Sequence, residues 1–528
     1  MVDKNWSRYQ RWYLRVTELG FVFDFSRMRF EESHLDSLRP AFESAFREMA
    51  ALEGGSIANP DEKRRVGHYW LRAADLAPDP DCAEAIRQAI ADVKTFTQEV
   101  HDGVICGEKG PFLNLLIIGI GGSALGPQFM SKALGSSGLD RVRLYFFDNT
   151  DPDGMDSVFE TLGDQLEQTL VIVISKSGGT KETRNGMLEA TRAYEAQGLS
   201  FARHAVAVTG VGSQLDQAAS EQRWLRQFPM WDWVGGRTSE LSAVGLLPAA
   251  LQGIDVDHLL KGARKMDAAT RVHDLERNPA AMMAALWYLA GRGRGEKHMV
   301  IIPYKDRLEL FPKYLQQLVM ESLGKAKDRN GETVNQGISV FGNKGSTDQH
   351  AYIQQLRDGR NDFFVTFIQA LKDRVGDDLE VEDDVTAGDY LFGFLVGTQE
   401  ALSGNGRESM AVSVPAVDAQ TVGALIAVFE RAVGFYASLV NINAYHQPGV
   451  EAGKKAAGEV IQMQRKILAL LREQSDRAFT VADLAKELEG DQSAEIIFRI
   501  CEHLVVNRPG DFQRHDADDP FSCTYQIV

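Results

Sequence analysis

The chain is short of positive charge. Its 528 residues hold 57 Lys and Arg against 74 Asp and Glu, a formal net charge of -17 at pH 7. That balance argues against a nucleic-acid backbone or an anionic membrane as the principal partner, because both are gripped through clustered cations. A phosphorylated small molecule stays open, since a few local Lys and Arg can reverse the field inside one pocket. Cysteine is scarce too. Cys82, Cys106, Cys501 and Cys523 are scattered and lack the paired spacing of a zinc site or a disulfide framework. Reduced thiols in a cytoplasmic protein, with no metal and no cofactor, are the expectation. No run approaches the ~20 apolar residues that cross a bilayer. The opening MVDKNWSRYQRWYLRV lacks the apolar core of a signal peptide. Short-period repeats and low-complexity tracts are absent as well. What remains, 44% hydrophobic and 25% charged, is the composition of a soluble globular protein, at a length that predicts about two to four domains.

What is present begins to show at Leu113. Four short apolar runs follow one another, LNLLIIGIGG, VRLYFFDNTD, LVIVISKSGG and HAVAVTGVG, with helical spacing between them. Such alternation predicts a doubly wound parallel sheet. A second α/β unit has strands at HMVIIPY, GISVFG and FFVTFIQA. The fold class is therefore α/β, with two tandem doubly wound parallel-sheet domains at 111–250 and 251–460 and a helical N-terminal region at 1–110. Residues 475–528 read as a small winged-helix-like module. There Thr480 and Asp483 form a capping signal, Ser493 can cap a second helix, and SCTYQIV alternates like a strand. From Leu471 to Val528 twelve Asp and Glu face six Lys and Arg, the wrong sign for binding DNA. A packing or interaction role suits this module better.

Two polar turns carry the chemistry. In VIVISKSGGTKET a run of β-branched residues breaks into small hydroxyls, one ammonium and two glycines, then a helix start. Backbone N–H groups at such a junction can converge on an anion. Upstream, LLIIGIGGSALGP offers Gly119, Gly121, Gly122 and Ser123 after the first strand, a loose fit to a dinucleotide pattern. Ligands of open α/β sheets gather at the carboxyl ends of strands, where both turns lie.

Six motifs in order, IGIGGSALGP, SKSGGTKET, VGGRTSELSAVG, QQLVMESLGK, GSTDQHAY and QPGVEAGKK, resemble the glucose-6-phosphate isomerase family. The resemblance spans Ile118 to Lys455, and it implies that each half of this core is a sugar-isomerase domain. It also implies roles. Glu321 matches the base that takes a carbon-bound proton, and Gln317, four residues earlier, matches a substrate contact. Arg237 matches the cation that steadies the enediolate. His350 and Lys454 match the pair that opens the sugar ring, His350 being able to titrate near working pH. Gly122, Ser123, Ser175, Lys176, Ser177, Gly178, Gly179 and Thr180 are expected to bind substrate, mainly its phosphate. Glu182 is expected to orient the histidine, and Gln447 to sit behind the site. The implied assembly is a homodimer in which His350 serves the neighbouring subunit.

The chain departs from the family pattern in places. Ser-Gly-Gly replaces the Thr-Phe-Thr of animal members, Thr238 stands where an aromatic is usual, and His446 and Pro448 flank Gln447 unusually. These touch fine specificity rather than reaction type. The rival readings are the same scaffold acting also on mannose 6-phosphate, and a sugar-phosphate-sensing regulator. A sensor needs the phosphate loop but has no use for Glu321, His350 and Lys454 together.

Overall fold

The computed structural model describes residues 4–488 and 493–528. It contains two compact units, which divide after His446.

In the first unit, five strands form a wholly parallel sheet in the order Arg143–Phe147, Asn114–Ile118, Thr169–Ser175, Ala205–Thr209, Arg226–Pro229. The strand Thr169–Ser175 is buried along its whole length. Its side chains alternate between two cores. Leu170, Ile172 and Ile174 enter one with Leu115 and Ile117; Val171 and Val173 enter the other with Leu116 and Ile118. A strand covered on both faces has no polar side, which is why these runs are continuously apolar. Each Val or Ile so buried contributes about 1.5–3 kcal/mol.

The second sheet is mixed. Val340–Phe341, His298–Tyr304, Phe363–Ala370 and Ser409–Val414 are parallel neighbours. The antiparallel hairpin Tyr13–Val16 and Phe21–Asp24 then extends the edge. The N-terminal region is thus not only helical. Its FVFDF alternation puts Phe21, Phe23 and Phe25 in the core, and the tertiary pairing with Ser409–Val414 fixes the strand. The core that holds these phenylalanines also takes side chains from the inner faces of both sheets and from the helix Ala419–Leu439. That helix is long and apolar enough to cross a membrane, yet it is mostly buried here and carries Glu430 and Arg431. Arg72 donates to Glu430 at 2.7 Å inside this core.

The second unit combines the helix Pro448–Glu473 with two shorter helices, Val481–Glu487 and Ala494–Asn507, and a three-stranded antiparallel sheet. Met463, Ile467, Leu468 and Leu471 of the long helix join the same core as Phe479, Leu484, Ile500 and Tyr525. The division between the two units falls at 446/447. The amphipathic stripe of the long helix decides this. Thr480 and Asp483 form a reciprocal capping box. Ser493 occupies the N-cap position of the next helix but makes no side-chain cap bond.

Candidate active site

The strand Asn114–Ile118 ends in the Gly119–Gly121 turn, and the helix Gly122–Leu134 starts there. The strand Thr169–Ser175 ends in the polar loop, and the helix Lys181–Ala196 starts after Thr180. Both turns therefore point helix N-termini, with unsatisfied N–H groups, past the same sheet edge. In the loop, Ser175 Oγ accepts from Gly178 N at 3.1 Å and Ser177 Oγ from Gly179 N at 3.2 Å. Gly178 has φ +69°, and a Cβ there would lie 2.3 Å from Leu215 N. Only glycine satisfies both demands.

The loop reaches the rest of the site through Lys176. Its ammonium donates to the carbonyls of Asp232 (2.9 Å) and Val234 (3.1 Å). Burial, then the nearby Arg64, hold it below the usual lysine range, and Asp232 opposes them. Lys176 and Arg237 line one cavity together with Arg64, His68, Glu430 and Tyr445. His68 is pushed well down by burial and by three surrounding arginines, so it stands neutral.

Arg237 lies in the short turn Gly236–Thr238 and is almost fully buried. One nitrogen faces Glu321 Oε1 at 3.3 Å; the other donates to the Ala444 carbonyl at 2.9 Å. Burial draws its pKa down and the Glu321 carboxylate opposes that. The second carboxylate oxygen, Oε2, accepts from Gln317 Nε2 at 3.0 Å. Residues Gln316–Glu321 form a π turn following the α-helical turn Phe311–Leu315. With a wider turn than the α-helix, residues four apart come more nearly into line, and such turns recur at functional sites. The glycine turn closes the arrangement. A Cβ on Gly122 would lie 1.8 Å from the Gly236 carbonyl, and one on Gly121 would lie 3.0 Å from Gln317 Nε2. Glycine lets three segments, distant in sequence, meet at one carboxylate. Ser123 is half-buried in the first helical turn beside them.

Other candidates lie elsewhere. His350 ends the short turn Thr347–His350 and is exposed. Among the described residues it has no hydrogen bond to Glu182, which sits half-buried in the first turn of its helix, or to Glu321. Gln447 is the N-cap residue of Pro448–Glu473, and Lys454 lies on that helix, both in the second unit. Sequence reasoning missed Arg64, His68 and Glu430, whose only link to the site is spatial. It also passed over Lys325, four residues beyond Glu321, whose ammonium donates to the carbonyls of Glu321 (2.8 Å) and Ser322 (2.7 Å).

The family model described as phosphoglucose isomerase matches residues 24–395 and 394–470. A glucose-6-phosphate isomerase of Geobacter sulfurreducens is 59% identical over 504 residues, 95% of each chain. One from Synechococcus elongatus is 57% identical over 518 residues, 98% of each. The crystal structure of a glucose-6-phosphate isomerase from Chlamydia trachomatis superposes with a TM-score of 0.78 at 29% identity, covering 86% of this chain and 90% of that one. Over nearly its whole length, then, this chain belongs to the phosphoglucose isomerase family.

Proposed function

We infer that the chain is an aldose–ketose isomerase that interconverts glucose 6-phosphate and fructose 6-phosphate. The observation that carries this is the carboxylate of Glu321, held between Gln317 and Arg237 at the carboxyl edge of the first sheet. A carboxylate so fixed is an oriented base with a cation beside it. In the open-chain aldose, Glu321 takes the proton from C2, the electron pair forms the C1–C2 double bond, and the former carbonyl oxygen becomes an enediolate. Arg237 stabilises that developing charge. Glu321 then returns the proton to C1 while the O2 proton passes to O1, so that O2 becomes the carbonyl, O1 a hydroxyl, and the ketose results. The loop from Ser175 to Thr180, with Gly122 and Ser123 nearby, binds the phosphate, whose remote binding energy holds the sugar in register.

His350, with Lys454, opens the ring. His350 is exposed and bonded to neither Glu182 nor Glu321 of its own chain, which favours a homodimer where it completes the neighbouring site. Gln447 supports the site from the start of the Lys454 helix. Cytoplasmic location and a small sugar phosphate as the only substrate class, with neither nucleic acid nor membrane, complete the proposal.

A coupled assay of glucose 6-phosphate formation from fructose 6-phosphate tests the reaction. Glu321→Gln keeps the shape but cannot accept the proton, so turnover should fall about 10²–10⁴-fold while substrate still binds. Wild-type turnover in the folded variant would overturn the base assignment. Product analysis for mannose 6-phosphate in the same assay separates the bifunctional alternative.

A further inference from the structure

We propose that Lys325 is a positioning residue for the isomerisation: its ammonium clamps the end of the π turn that carries Glu321. The proposal rests on the reaction and base assigned above.

Lys325 is 4% exposed and opens the short strand Lys325–Lys327, paired through Gln336. Its ammonium donates to two carbonyls in the last turn of the helix that carries the base, at residues 321 and 322. Among the described residues it has no ion pair within 4.0 Å. Burying an unpaired ammonium costs several kcal/mol, and two carbonyls at a helix end need no charge to be satisfied, since glycine caps or water suffice. The cost is intelligible if the charge acts on what lies beside it. The charged and titratable groups facing it are Arg237, Glu321 and His446. Glu321 is the one whose charge the reaction changes. Burial first, and Arg237 second, draw the Lys325 amine down to about 7, and Glu321 pulls the other way. Below neutral pH Lys325 is therefore charged, and its ammonium holds the carbonyls of Glu321 and Ser322.

Fixed carbonyls hold the π turn, so the carboxylate stays aligned with Gln317 and Arg237. A cap that served stability alone would leave kcat unmoved in a folded variant.

Lys325→Met fills the stem volume but removes donors and charge; Lys325→Gln keeps one donor and no charge. Both are compared with wild type for kcat and KM with fructose 6-phosphate. A misaligned base should lower kcat about 10–100-fold in Lys325→Met, with KM changed less than kcat. Lys325→Gln, with one donor left, should fall between Lys325→Met and wild type. If Lys325→Met does not fold, kcat in Lys325→Gln decides, and a wild-type value there would overturn positioning. Wild-type kcat in folded Lys325→Met would overturn positioning. Because Glu321 is intact in both variants, failure here is distinguishable from failure of the base assignment, which Glu321→Gln tests alone.

Discussion

Glu240, in the motif VGGRTSELSAVG, is 1% exposed, and among the described residues neither carboxyl oxygen meets a hydrogen-bond partner. Burial, then the nearby Glu430, raises its pKa well above the ordinary carboxylate value. The sign follows from linkage. The unfolded chain releases this proton in the usual carboxylate range while the folded chain retains it, so stability falls as pH rises above that range, by about 1.4 kcal/mol per unit for one proton. Glu240→Gln removes the titration. Its melting temperature relative to wild type should therefore be higher at pH 8 than at pH 5, and a pH-independent difference would contradict a buried neutral acid. Such a residue illustrates what the sequence makes legible. Glu321, Gln317 and Arg237 could be proposed from their motifs, and the structure brings the three side chains together. That Arg237 bonds Glu321 across 84 positions, or that Glu240 is buried, depends on packing between segments, and no local pattern records it.

At the scale of elements, the proposed phosphate loop is a strand end, two side-chain-stapled N–H groups and a helix start. A phosphate there would gain charge-assisted bonds worth about 1.5–3 kcal/mol each. Lys176→Ala combined with Ser177→Ala should raise KM for fructose 6-phosphate at least about tenfold, and kcat should change less. An unchanged KM, with unchanged inhibition by inorganic phosphate, would place the phosphate elsewhere. The buried strands of the first sheet were readable because runs such as VIVIS leave no polar face. Arg226–Pro229 was not: RQFP carries no apolar pattern and lies at the sheet edge, where pairing with Ala205–Thr209 alone defines it. The π turn was equally hidden, since QQLVME would serve an ordinary α-helix as well.

At the scale of the whole molecule, the exposed His350 leads to a test of assembly. Glu321→Gln and His350→Ala, each inactive alone, are mixed by co-expression. If a site draws these two groups from different chains, each hybrid dimer has one intact site. Random pairing makes about half the dimers hybrids, so roughly a quarter of wild-type activity should return. Verified hybrids without activity would show that one chain supplies both groups. The outermost strands of the second sheet have a further consequence, one that concerns synthesis. Phe21–Asp24 pairs with Ser409–Val414, made nearly four hundred residues later. At 5–20 residues per second, a ribosome takes about 20–80 s to supply that partner. Throughout this interval the nascent hairpin lacks the strand that covers its edge, and Phe21, Phe23 and Phe25 lack their final core. Chains arrested before residue 409 should accordingly be cut by protease near the hairpin, whereas chains arrested well beyond residue 446 should resist. Equal protection in both would mean that the N-terminal strands find cover long before their neighbour exists.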